Sequence, residues 1–186
     1  MFRKILCGLA ITISATTLHA DVRPFASLGF DFGGDKLDTA YYVSGKEQKI
    51  TAGAGLIAEV GGAIGLGSSM DTQLSVGYKI DNAEASNGNL KFKRVYFNAL
   101  GVYSFGKYSA GAGVTYHLNP MLTGDGILNN TSVGFENAVG GIVQGGYSVS
   151  RQGTAGVRAT FINYEASKGG KTVDGNAVGL FYTHKF

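Results

Sequence analysis

The sequence predicts an all-β fold: an eight-stranded antiparallel up-and-down barrel that crosses a membrane with its strands. Three observations predict it. Apolar residues alternate with small or polar ones in eight separate runs. The connections between those runs alternate long and short. Aromatic residues gather at the two ends of the apolar face and leave its middle to Ala, Val, Leu and Gly.

The 186-residue chain opens with a targeting segment, residues 1–20. Arg3 and Lys4 give it a basic start, Ile5 to Ala15 a short apolar core, and Ala20 a cleavage position. That core is shorter than the roughly 20 apolar residues a spanning helix needs. The single cysteine, Cys7, falls inside this segment, so the barrel domain at 21–186 carries no thiol, disulfide or Cys-based metal site. A cysteine-free mature chain suits export to an oxidising compartment. The formal net charge of +3, less Arg3 and Lys4, leaves +1, which gives no reason to expect a nucleic-acid partner.

The eight runs fall at 24–33, 50–64, 70–80, 92–105, 107–118, 132–149, 153–164 and 176–186. The first puts Phe30 and Phe32 on one face and Asp31 on the other. The second carries Glu59 on its polar face. The third sets Leu74, Val76, Tyr78 and Ile80 against Asp71, Gln73, Ser75 and Lys79. In the fourth, Phe97, Tyr103 and Phe105 share the apolar face and Arg94 lies opposite. The fifth sets Tyr108, Val114 and Tyr116 against Ser109, Thr115 and His117. The sixth sets Phe135, Val139 and Tyr147 against Glu136 and Gln144. The seventh sets Phe161 against Arg158. The last sets Val178, Leu180, Tyr182 and Phe186 against Lys185. Long connections occupy Gly34 to Lys49, Asp81 to Lys91, Asn119 to Thr131 and Glu165 to Gly175. Short ones occupy Gly65 to Ser69, Gly106-Lys107 and Ser150 to Gln152. In an outer-membrane barrel the long loops face the exterior and the tight turns the periplasm.

An eight-strand lumen is only wide enough for side chains to fill. The small or charged face therefore points inward and the apolar face meets lipid. Strand direction then sorts the outward aromatics into two girdles. Phe30, Phe32, Tyr78, Phe97, Tyr116, Phe135 and Phe161 fall toward the long loops. Tyr103, Phe105, Tyr108, Tyr147, Tyr182 and Phe186 fall toward the short turns. The inward face holds four acids and four bases. Asp31, Glu136, Lys79 and Arg94 lie in the outer half, and Glu59, Asp71, Arg158 and Lys185 in the inner half. Confined charges need partners, so a plug of paired charges is expected, with Arg158 the central partner of Glu59 or Glu136.

The terminal run, Val178-Gly-Leu-Phe-Tyr-Thr-His-Lys-Phe186, resembles the C-terminal strand of bacterial outer-membrane barrels. His184 stands where an apolar residue is more usual. With the targeting segment and the alternating loops, the chain resembles the small barrel superfamily of outer-membrane protein X and the membrane domain of outer-membrane protein A. The resemblance implies a Gram-negative outer-membrane location. It implies contact with outer-membrane lipids and lipopolysaccharide, and recognition of Val178, Leu180, Tyr182 and Phe186 by the barrel-assembly machinery. A monomer is expected.

Chemical motifs are scarce. His117 has the right acid–base range for catalysis, and some small barrels are acyltransferases or lipid A deacylases. These need an activated serine beside the histidine. Ser132 opens a neighbouring run, but no deacylase-like pattern surrounds it. The paired glycines at 61–62, 140–141 and 145–146 are not phosphate loops, since no G-x-x-x-x-G-K-[ST] occurs. They relieve crowding in a curved wall. Asp125 between two glycines is no calcium site, because the ion takes six to eight oxygens. The expectation is a protein without cofactor, metal site or enzymatic activity. Its role would be structural or interactive: membrane integrity, adhesion or immune evasion through loops that meet a host or cell-surface ligand. A narrow pore or a route for small hydrophobic molecules is the alternative.

Overall fold

The computed structural model describes residues 22–41, 47–85, 88–124 and 132–186. The targeting segment expected at 1–20 lies outside the described residues. Among the described residues thirteen strands form. Eight of them make the wall: β1 (Val22–Phe32), β4 (Gly55–Gly65), β5 (Met70–Ala85), β6 (Gly88–Phe105), β7 (Tyr108–Gly124), β9 (Ala138–Ser148), β10 (Gly153–Phe161) and β13 (Ala177–Lys185). Each pairs antiparallel with its sequence neighbour in the wall. β1 closes the circle on β13, from Phe25 opposite Lys185 to Phe32 opposite Val178. Closure satisfies every wall strand on both edges, which lipid otherwise leaves unpaired.

The strands run further outward than the alternation alone suggested. β5, β6 and β7 continue well into the expected long loops. Inside the first loop, β2 (Lys36–Tyr41) pairs with β3 (Glu47–Thr51), and inside the last, β11 (Asn163–Glu165) pairs with β12 (Thr172–Asp174). A short β8 (Ser132–Gly134) continues the wall beside β7. The long-loop end is thus a sheet-built rim.

One irregularity moves two predicted residues. Between Lys93 and Val95 of β6 the partner strand advances from Met121 to Leu118, so β7 holds one extra residue. The bulge is at Asn119, whose φ is 43°. Asparagine tolerates this left-handed geometry better than most residues. Its backbone N–H donates to Asn137 Oδ1 at 3.0 Å across the wall. The partner segment changes phase with it: Ala138 and Phe135, three residues apart, are both buried, and Glu136 and Asn137 between them are both exposed. Phe135 is therefore not in the lipid-facing girdle; it is 6% exposed and sits inside the rim. Glu136 is not in the lumen but at the exposed rim.

Candidate functional site

The outer surface of the wall is apolar. Phe30, Phe32, Tyr78, Phe97, Tyr116 and Phe161 are exposed toward the rim, and Tyr103, Phe105, Tyr108, Tyr147, Tyr182 and Phe186 toward the short turns. Between them lie exposed Leu28, Val60, Leu74, Val76, Val114, Val143 and Val157. Val178, Leu180, Tyr182 and Phe186 all stand on this face of β13. A contiguous apolar surface of this extent needs a lipid solvent.

The inner face is a hydrogen-bonded network centred on Glu59. Its Oε2 accepts from Arg158 Nη1 at 2.9 Å, Tyr96 OH at 3.0 Å and Asn98 Nδ2 at 3.3 Å. Its Oε1 accepts from Ser75 Oγ at 2.7 Å. Four donors from three strands thus replace the hydration of one carboxylate, which is what makes a buried charge tolerable. Arg158 also donates through Nε to Gln144 Oε1 at 3.1 Å, and its guanidinium lies 5.2 Å from the centroid of the Phe181 ring. The wall yields space for these groups where it carries glycine. Gly77 faces inward opposite Tyr96 in the β5–β6 register, and a Cβ there would run into the Tyr96 ring. Gly179 lies opposite Asp31, and a Cβ there would meet the Asp31 carboxylate.

The remaining charges form two further groups. Toward the rim, Lys79 Nζ is 2.5 Å from Asp31 Oδ2, both almost wholly buried. Toward the short turns, Asp71 is shared by Arg23 at 2.5 Å and Lys185 at 3.4 Å, in a wetter setting. Arg94 stands apart. It is 1% exposed and opposite Lys79, yet it pairs with no carboxylate among the described residues. Nη2 donates to the Ala54 carbonyl at 2.7 Å, and the guanidinium rests 4.3 Å above the Phe92 ring. With Glu136 at the rim, the acid that ion-pairs in the outer half of the lumen among the described residues is Asp31, while Asp81, two residues beyond Lys79 on β5, accepts from the Thr51 backbone N–H at 3.3 Å instead.

Outside Arg94 the lumen changes character. Ile50, Leu90, Phe92, Leu122, Phe135 and Tyr164 belong to one buried apolar cluster that fills the rim. Tyr164 of β11 shares a 2.7 Å hydrogen bond with Nδ1 of His117, which also stacks on Tyr96. Burial pushes the Tyr164 phenol up to about 12, so it stays protonated. His117 thus links the apolar cap to the polar network. Ser132 is exposed on β8, whereas His117 is buried.

Among the described residues, small cavities interrupt the lumen. One of about 20 Å³ is lined by Asp31, Lys79, Asn98, Thr115, His117 and Arg158 among others. It is large enough for about one water, and Asn98 Oδ1 and Thr115 Oγ1 are buried there without a protein partner. Another, about 60 Å³, opens among Ser104, Ser109, Gln144, Ser148, Phe181 and Thr183 toward the short turns.

Comparison with solved structures agrees with this architecture. Ail, the attachment invasion locus protein of Yersinia pestis, solved in complex with the heparin analogue sucrose octasulfate, superposes with a TM-score of 0.53 at 9% identity. The match covers 89% of this chain and 97% of Ail. The chain has the fold of the small eight-stranded outer-membrane β-barrels. Neisserial surface protein A is similar to the same barrel, with a TM-score of 0.50, 11% identity, and coverage of 89% of this chain and 97% of that one. At such identities the likeness is one of fold alone. No family model and no curated protein sequence matches this barrel.

Sequence reasoning missed several residues of the network. Arg23 precedes the first alternating run, so nothing marked it as inward. Alternation places Ser75 and Gln144 on the inner face but not in the network, and it singles out neither Tyr96 nor Asn98, because a count of charges passes over neutral groups. The signal that finds Tyr96 is its register: a large aromatic on the inner face directly opposite a glycine.

Proposed function

We propose that this barrel serves the outer membrane as a structural and surface-interaction protein, presenting its sheet-built rim to the exterior, and that it is not a solute channel. One observation carries the reading: the lumen is filled twice over, by the Glu59–Arg158 network at mid-depth and by the apolar cap around Phe92, Phe135 and Tyr164. A solute would have to break a hydrogen-bonded charge cluster and then part a hydrophobic core. The rim, by contrast, extends past the wall in β2–β3, β11–β12 and the outer parts of β5 to β7. Rigid strands that carry exposed segments suit recognition. Loops expected to meet a host or cell-surface ligand begin from this rim.

The test compares Gram-negative cells that lack the barrel with cells that express it. Adherence to immobilised cells and glycans, survival in serum, and uptake of small polar and hydrophobic solutes are measured in parallel. Changed adherence or serum survival at constant uptake is expected. Raised uptake with adherence and survival unchanged would overturn the reading in favour of a channel.

A further inference from the structure

Toward the short turns the lumen ends in the polar vestibule of about 60 Å³. Strand register gathers hydroxyl groups around it. Ser104 stands opposite Ser109 across β6 and β7, and Thr154 lies between Ser148 and Thr183 across β9, β10 and β13. The Thr183 hydroxyl donates to Ser27 Oγ at 3.0 Å, and Ser27 Oγ donates to the Tyr182 carbonyl at 3.1 Å. The hydroxyls of Ser104, Ser109 and Thr154 have no protein partner among the described residues. Gln144 Oε1 accepts from Arg158 Nε, which leaves the Gln144 amide N–H groups to the vestibule.

One cation reaches the same space. Lys185 lines the vestibule, with its side chain 27% exposed. Its Nζ stands 3.4 Å from Asp71 Oδ2, while Arg23 holds the other oxygen of that carboxylate at 2.5 Å. Arg23 thus neutralises Asp71, and the Lys185 ammonium keeps donors to spare. No carboxylate lines the vestibule among the described residues. A donor-rich lining with one positive charge suits an anion. Val102 and Phe181, both buried, add a small apolar wall. The space takes about four to six water-sized groups, which limits a guest to roughly that many non-hydrogen atoms.

We propose that the vestibule binds a short carboxylate, with its charge at Lys185 and its stem against Val102 and Phe181. The hydroxyls of Ser104, Ser109 and Thr154 and the Gln144 amide supply the remaining hydrogen bonds. Inorganic phosphate fits less well, because it has no apolar part and the wall would desolvate it without return. The site faces the periplasm, the side of the short turns. It rests on the filled mid-lumen that closes its inner end and does not need the adhesive role. Because it is read on purified protein, its failure and that of the cellular adherence test are separate. Free acids and the carboxylate ends of peptides share this chemistry.

The experiment refolds the full mature barrel in zwitterionic detergent and follows its backbone amide resonances by NMR. Lactate, its neutral analogue lactamide, N-acetyl-alanyl-alanine and inorganic phosphate are titrated in turn. Lactate is expected to give saturable shifts at Ser104, Ser109, Thr154 and Lys185 in about the millimolar range, as befits so few atoms. Phosphate should bind more weakly than lactate. Removing a charge-assisted hydrogen bond weakens binding by about tenfold or more, which is the loss expected for lactamide on the wild-type barrel and for lactate on K185Q. T154V, which keeps the shape and drops one hydroxyl, should show a smaller loss. K107Q, at an exposed turn, should bind lactate as the wild type does. Matching shifts from N-acetyl-alanyl-alanine would extend the site to peptide ends, and shifts from lactate alone would confine it to free acids. Absence of saturable lactate shifts, or equal binding of lactate and lactamide by the wild-type barrel, would overturn the proposal. So would undiminished lactate binding by K185Q with the wild-type strand circular dichroism.

Discussion

Arg158 and Arg94 are both arginines buried in the lumen, and their surroundings give them opposite energetic roles. Arg158 supplies the only cation bonded to Glu59 among the described residues, while Arg94 meets a carbonyl and an aromatic face with Nε and Nη1 left without a partner. Removing one member of a buried pair strands the other charge, at a cost of about 3–5 kcal/mol. Arg94 carries the desolvation cost of a buried charge with no ion pair to offset it among the described residues, so an apolar chain of similar length is expected to be neutral or stabilising there. R158M should therefore lower the unfolding free energy in detergent by that amount, read from urea titration of the strand circular dichroism signal. R94M should leave it unchanged or raise it. The reverse order would show that the Glu59 network is not what holds the lumen. The inward placement of Arg158, Glu59, Lys79 and Asp31 was legible from period-two alternation, because β1, β4, β5 and β10 keep phase through that depth. Which acid meets which base was not, since pairing across a lumen depends on register and tilt.

At the scale of elements, the bulge at Asn119 decides the build of the rim. It turns Phe135 from the lipid face into the apolar cap, where its ring packs edge-on against Phe92 at 5.6 Å and near Tyr164 at 6.2 Å. Alternation could not reveal this, because one inserted residue reverses every assignment beyond it. Asn119 itself was read as the start of a loop, and its role as a phase switch has no period to betray it. Phe135→Ala should cost about 3–5 kcal/mol, the usual range for a buried phenylalanine. The same change at lipid-exposed Phe161 should cost clearly less. Equal costs in urea titration would put Phe135 back on the lipid face. The terminal strand makes a different kind of prediction. Phe186 is 70% exposed, held locally by its ring contact with His184 and by its backbone N–H, which donates to the Pro24 carbonyl at 2.9 Å. Phe186→Ser should leave the refolded barrel nearly as stable but reduce membrane-inserted protein in cells, measured by fractionation. Wild-type insertion would remove the assembly role assigned to Val178, Leu180, Tyr182 and Phe186.

For the molecule as a whole, the fold class was legible because a closed membrane barrel imposes a pattern at every level. Strand alternation, the order of loop lengths and the two aromatic girdles arise from one constraint, the need to satisfy the backbone in lipid. The content of the lumen was less legible. Counting charges suggested a balance in each half, whereas the folded chain moves Glu136 to the rim, brings Arg23 to Asp71 and adds an apolar cap. What results is a barrel that is solid along most of its length, with a small polar vestibule toward the short turns. Recording of single-channel currents from the refolded barrel in a planar lipid bilayer measures whether the barrel is solid. Wild-type protein is expected to give no sustained open steps at concentrated potassium chloride, with R158M giving brief openings at most because the apolar cap persists. Long-lived, discrete, ohmic steps from the wild-type barrel would show an open lumen and make the protein a channel.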